Sequence, residues 1–128
     1  MRFIIAMTEE WKQIEEFPRY QISNLGRVKS MIGFHKVLKP YRISNGGYLA
    51  VRLSKTTGIK GKYSTKDFVV HRIVAKHFCE NYTEEIEVHH INGNREDNRA
   101  DNLQCLTKQE HLQLHKELRV QEKGGKIS

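Results

Sequence analysis

Two adjacent histidines, His89 and His90, are followed by His111 and His115, so four of the chain's seven histidines lie between positions 89 and 115. Three imidazoles can chelate a metal while the fourth stays free as a base, which is what metal-assisted phosphodiester hydrolysis requires. Neighbouring residues on a strand point to opposite faces, so His89 and His90 must do different jobs. His111 and His115 share one face of a helix and form a natural two-toothed clamp. If that face packs on the strand, His89 becomes the third ligand. His90 is then left unligated, able to take a proton from water near neutral pH.

Those roles require a strand, a loop, a second strand and a helix in order. Glu87–Ile91 reads as a short strand, Asn92–Asp101 as a loop of Asn and Asp that can bond their own backbone, and Leu103–Leu106 as a second strand. Thr107 with Glu110 is the signature of a capping box. It opens a helix from Lys108 to about Val120, ended by Gly124-Gly125. Upstream, Val70, Ile73, Val74 and His77 fall on one helical face over Val70–Phe78. Residues 11–30 alternate as short strands broken at Asn24-Leu25-Gly26. Residues 36–39 read as a strand ended by Pro40, Asn45-Gly46-Gly47 as a turn, 48–53 as a strand, 55–66 as a polar hairpin loop, and 68–70 as its return. His35, His71 and His77 have no chelating spacing and read as surface or core residues.

The 128 residues carry a net charge of +7, unevenly spread. Residues 1–78 hold 15 Lys/Arg against 5 Asp/Glu, and residues 79–128 hold 7 against 10. A basic half set apart from a histidine cluster suits a phosphate-bearing partner. Cys79 and Cys105 form no Cys-x-x-Cys pair, which argues against a zinc knuckle or disulfide scaffold and fits a reducing cytoplasm. The opening Met1–Ala6 is too short for a signal peptide, and no run is long and apolar enough for a membrane span.

Val88-His89-His90-Ile91-Asn92-Gly93-Asn94, with Asp97-Asn98-Arg99-x-Asp101-Asn102-Leu103 and His111-x-x-x-His115, resembles the HNH endonucleases, the ββα-metal nucleases, and within them the phage and intron-encoded homing branch. Val70-His71-Arg72-Ile73-Val74-Ala75 is similar to a segment common in that branch. Trp11-x-x-Ile14, with Phe17-Pro18-x-Tyr20-x-Ile22-Ser23-Asn24-x-Gly26-Arg27-Val28-Lys29-Ser30, resembles the nuclease-associated modular DNA-binding motif that precedes such domains.

The resemblance implies an α+β chain: a small N-terminal β-rich DNA-binding module over 8–66, a ββα-metal HNH nuclease unit over 67–120, and a flexible tail over 121–128. It makes His90 the general base and His89, His111 and His115 the metal ligands. It makes Asn102 the catalytic-loop residue that pins the two strands by backbone hydrogen bonds. His89 stands where the homing branch often has Asp, and His111 where it often has Asn. An all-histidine ligand set favours Zn²⁺, Ni²⁺ or Mn²⁺ over Mg²⁺ in affinity. Arg27 and Lys29 are the expected DNA contacts of the module, and Arg72, Arg95 and Arg99 the candidates for phosphate near the site.

The implied activity is a divalent-metal DNA endonuclease of a bacterial or phage-infected cell. It leaves 5′-phosphate and 3′-hydroxyl ends, nicking as a monomer or cutting both strands as a homodimer. The rival expectation is a catalytically idle DNA-binding protein whose zinc-stabilised fold is only a scaffold. That rival predicts a fourth protein ligand, for which Cys105 or Asp101 are the candidates.

Overall fold

The computed structural model describes residues 8–44 and 46–127, with side chains through residue 117. The apolar opening segment therefore lies outside the described residues, as does Asn45 of the expected turn. Three antiparallel strands come first: β1 (Trp11–Gln13), β2 (Tyr20–Ser23) and β3 (Val28–Ser30), in the order β1-β2-β3. The β2–β3 turn is tied by side chains. Ser23 Oγ accepts from the Leu25 and Arg27 amides, and Asn24 bridges the Glu10 amide and the Thr8 carbonyl. Gly26 is required there twice over. Its φ is +84°, and a Cβ would lie 2.9 Å from the Asn98 carbonyl oxygen.

A second antiparallel sheet holds β4 (Tyr41–Arg42), β5 (Leu49–Thr56) and β6 (Tyr63–Val69). The expected strand at 36–39 is a single bridge, Lys29↔Val37, and the paired strand begins only after Pro40. The expected 55–66 loop is shorter, because pairing continues to Thr56↔Tyr63. Both faces of that extension are exposed, so no polar/apolar alternation marks it, although Tyr63 and Thr65 suit a strand.

β6 runs straight into α1 (Val70–Phe78), which buries Val70, His71, Ile73, Val74 and Ala75. Then come β7 (Glu87–His90), a loop ending in a 3₁₀ turn at Ala100–Asn102, β8 (Leu103–Leu106) and α2 (Lys108–Ile127). β7 and β8 pair antiparallel from Glu87↔Leu106 to His90↔Leu103. The capping box is made reciprocally. The Glu110 amide donates to Thr107 Oγ1 and the Thr107 amide to Glu110 Oε1, both at 3.1 Å. The helix backbone continues through Gly124-Gly125 to Ile127, beyond the expected stop near Val120. Glycine weakens a helix interior by about 1 kcal/mol but does not break it as proline does.

A boundary at 66/67 falls inside β6. One buried cluster runs from Ile14, Phe17, Tyr20, Ile22 and Val28 through Val51 and Leu53 to Val70, Ile73, Val74 and Leu103. The β-rich segment and the hairpin thus share a core. They also share a loop contact, with the Ala100 amide donating to the Asn24 carbonyl at 2.7 Å. Among the described residues no helix is long and apolar enough to cross a membrane.

Candidate active site

β7 presents His89 and His90 to its two faces. His90 is 6% exposed, and its Nε2 lies 2.8 Å from Asn98 Oδ1. The amide oxygen can only accept, so the proton sits on Nε2 and the lone pair remains on Nδ1, the nitrogen that could take a proton. The rings of Tyr48 and His71 pack against the same imidazole.

Asn102 closes the loop behind His90. Its Oδ1 accepts from the Asn92 amide at 3.1 Å, and its Nδ2 donates to Asn92 Oδ1 and the Asp97 carbonyl, both at 2.9 Å. Asp97 in turn accepts from Asn92 Nδ2 at 2.8 Å and from both Nε and Nη2 of Arg99. The hydrogen bonds from Arg99 chiefly, and from Asn92, hold the Asp97 carboxyl below its ordinary range, against the opposing effect of burial.

The other face of β7 carries Glu87 and His89, two residues apart, and α2 lies over it. The Glu87 carboxylate accepts a hydrogen bond from His111 Nδ1. That contact fixes the tautomer of His111 and leaves the Nε2 lone pair outward, as carboxylates behind metal-binding histidines do. His111 Nε2 faces His115 Nε2 at 3.0 Å. Two nitrogens bound to one tetrahedral zinc at about 2.0–2.1 Å would stand about 3.3 Å apart, so this pair fits a shared ion.

His89 lies alongside, its ring centroid 5.6 Å from that of His111 and 6.5 Å from that of His115. Burial first, then the nearness of His111 and His115, lowers the His89 pKa and favours its neutral, ligating form. Two of the three expected ligands therefore meet and the third stands beside them. Among the described residues no group of three or more His, Cys, Asp or Glu side chains is already gathered at ligand spacing. The fourth ligand required by a closed zinc scaffold finds no support. Cys105 is packed with Ala75 and Ile86, and burial pushes its thiol up to about 12. Asp101 lies 3.9 Å from Arg99.

The expected phosphate-binding arginines sit in varied surroundings. Arg72 is committed to the chain itself. It donates to the Ile86 and Glu84 carbonyls and to Tyr82 Oη, and ties down the 82–86 loop. Arg95 donates to the Gly46 carbonyl and stacks 5.1 Å over the Tyr48 ring. Arg99 is half exposed beside Asp97. Arg27 pairs with Glu9, and Lys29 Nζ stands 4.1 Å over the Trp11 ring.

Sequence reasoning passed over Asn98 and Glu87. Glu87 was legible, since it sits two residues before His89 on the same strand face. Asn98 was one of several asparagines in a loop, and nothing in its spacing set it apart.

A two-stranded hairpin followed by a helix, with a buried histidine at the end of its first strand, is the arrangement that the resemblance to the ββα-metal nucleases implied. The HNH endonuclease family matches residues 68–113, and the NUMOD4 motif matches residues 9–60. Residues 68–113 are thus an HNH endonuclease domain, preceded by a NUMOD4 motif.

The chain is similar to DNA endonuclease I-HmuI of Bacillus phage SP01, 44% identical over 99 residues that make up 77% of this chain and 52% of that protein. The SPbeta prophage-derived putative HNH homing endonuclease YosQ of Bacillus subtilis is 32% identical over 106 residues, 81% of this chain and 55% of that one. The solved structure of DNA binding and cleavage by the HNH homing endonuclease I-HmuI matches with a TM-score of 0.67 at 36% identity, over 92% of this chain and 65% of that chain. The chain thus spans about half the length of these two relatives.

Proposed function

We propose that this chain is a metal-dependent DNA endonuclease with His90 as its general base. The observation that carries the reading is the pairing of Nε2 of His90 with Asn98. It leaves a basic Nδ1 on the residue next to a potential metal ligand. In the proposed reaction, water loses a proton to His90 Nδ1 as its oxygen bonds to phosphorus. The P–O3′ bond breaks, and the departing 3′ oxygen takes a proton from solvent. The products are 5′-phosphate and 3′-hydroxyl ends.

His89, His111 and His115 would hold one divalent ion (Zn²⁺, Ni²⁺, Mn²⁺ or Mg²⁺), which supplies charge stabilisation at the phosphate and the leaving oxygen. Glu87 orients His111, and Asn102 keeps the loop closed so that Asn98 can hold His90. Arg27, Lys29, Arg95 and Arg99 are the proposed phosphate contacts. Arg72 acts as a loop tie. The basic excess before residue 79 and the DNA-cleaving relative both support DNA as the substrate. A single site per chain nicks one strand as a monomer, and a homodimer would cut both. Two free cysteines fit a reducing cytoplasm.

The test is cleavage of supercoiled plasmid with a panel of divalent metals, run beside His90→Ala. Metal-dependent conversion to nicked or linear product by the wild type, lost in the variant, is the expected outcome. An inactive wild type that still binds DNA would favour the idle scaffold.

A further inference from the structure

His71 has no part in the reaction as described, yet it is 8% exposed and stands in the middle of the base's surroundings. Its Nδ1 is sealed from solvent with no hydrogen-bond partner among the described residues. An unpaired buried polar atom costs stability that a purely apolar residue would not. What the ring does touch is His90. The two centroids are 4.9 Å apart, edge to face at 62°. Tyr48 forms another wall, 4.8 Å from His71 and 6.0 Å from His90, with its plane within 26° of the His90 ring.

A single hydrogen bond from Nε2 to Asn98 would leave the His90 ring free to turn about that bond and swing Nδ1 with it. Walls on two sides remove that freedom. We propose that His71 and Tyr48 are positioning residues of the hydrolysis, their rings fixing the His90 imidazole on the sides that Asn98 leaves open. The inference rests on His90 being the base.

Tyr48 is itself held from outside. The Arg95 guanidinium stacks over its ring while donating to the Gly46 carbonyl. A Cβ on Gly46, whose φ is +90°, would lie 2.9 Å from Tyr48 Cε2. The turn before β5, in the segment expected only to bind DNA, therefore builds part of the base's socket. Burial first, then the nearby His90 and Arg72, pushes the His71 pKa down to about 4, so His71 places no positive charge beside His90 at neutral pH.

The test is plasmid cleavage by the full chain at saturating DNA, with the melting temperature of each variant measured alongside. His71→Ala and Tyr48→Ala should each lower kcat about 10²-fold, the cost of a misplacement near 1 Å, with KM for DNA unchanged. Tyr48→Phe, which keeps the ring, should restore kcat. A purely structural role would lower the melting temperature and leave kcat of the folded protein intact. That result for both alanine variants would overturn the inference.

If the alanine variants do not fold, the wild type decides. Proton NMR should show nuclear Overhauser contacts from the His90 ring to those of Tyr48 and His71, and their absence overturns the socket. A His90→Ala variant that cuts at the wild-type rate would instead sink the base assignment and leave those contacts standing.

Discussion

His89 and His90 are neighbours on β7, and the chain treats them in opposite ways. His90 is buried, bonded through Nε2 to Asn98 and flanked by the rings of Tyr48 and His71. His89 looks onto α2, where His111 leans on Glu87, and the exposed His115 meets His111 and stands edge-on to the His89 ring. The proposed base is held by the fold before anything binds, as preorganised catalytic groups are. Of the three proposed ligands, His89 stands on β7 while His111 and His115 share one face of α2, with the Glu87 carboxylate behind His111. Substitutions on the first face should therefore cost stability and turnover together. Those on the second should cost metal affinity and leave the fold alone.

The largest effect expected is at the base. His90→Ala should reduce plasmid cleavage by about 10²–10⁴-fold, the usual worth of a positioned proton acceptor. Wild-type cutting by that variant would erase the distinction between the faces.

Asn102→Ala comes next. It removes three hydrogen bonds that close the Asn92–Asp101 loop, and a lost buried polar partner costs about 1–3 kcal/mol. Denaturant unfolding should show that loss, and cleavage should fall about 10²-fold through a displaced His90. Nickel affinity should hardly change. A variant that loses nickel as fully as a ligand variant would make Asn102 part of the metal face.

Glu87→Gln sharpens the comparison from the other side. The amide cannot accept as the carboxylate does, so metal affinity measured by titration should fall about 10–100-fold with the melting temperature nearly unchanged. A large drop in melting temperature would mean that Glu87 holds α2 in place.

The smallest effect concerns Asp97. Its folded pKa lies below the ordinary carboxylate value because Arg99 and Asn92 donate to it. Its contribution is therefore present at neutral pH and lost as pH falls below the ordinary carboxylate range toward the depressed folded value. Asp97→Asn should make the acid limb of stability, followed by circular dichroism, slightly shallower. A steeper acid limb would contradict the sign.

The elements that carry the proposed metal face were the more legible in the sequence. The four-residue spacing of His111 and His115, the adjacent His89-His90 and the Thr107/Glu110 cap are local signals, and local periodicity carries them. The base's socket was not legible. Tyr48, His71, His90 and Asn98 come from four separate elements. They meet because Gly26 lets the β2–β3 turn lie against Asn98 and because the Ala100 amide reaches the Asn24 carbonyl. No spacing along the chain encodes such a docking. The β5–β6 hairpin was under-read for a different reason: its outer half is exposed on both faces, so the alternation that marks a half-buried strand is missing.

The most direct test of the two-faced strand is calorimetric titration of Ni²⁺ or Zn²⁺ into His90→Ala and His111→Ala, with plasmid cleavage measured on the same samples. The account predicts that His90→Ala binds metal like the wild type and does not cut, while His111→Ala loses metal binding and keeps its melting temperature. If His90→Ala loses metal as completely as His111→Ala, His90 is a ligand, and the division of labour between neighbouring residues is wrong.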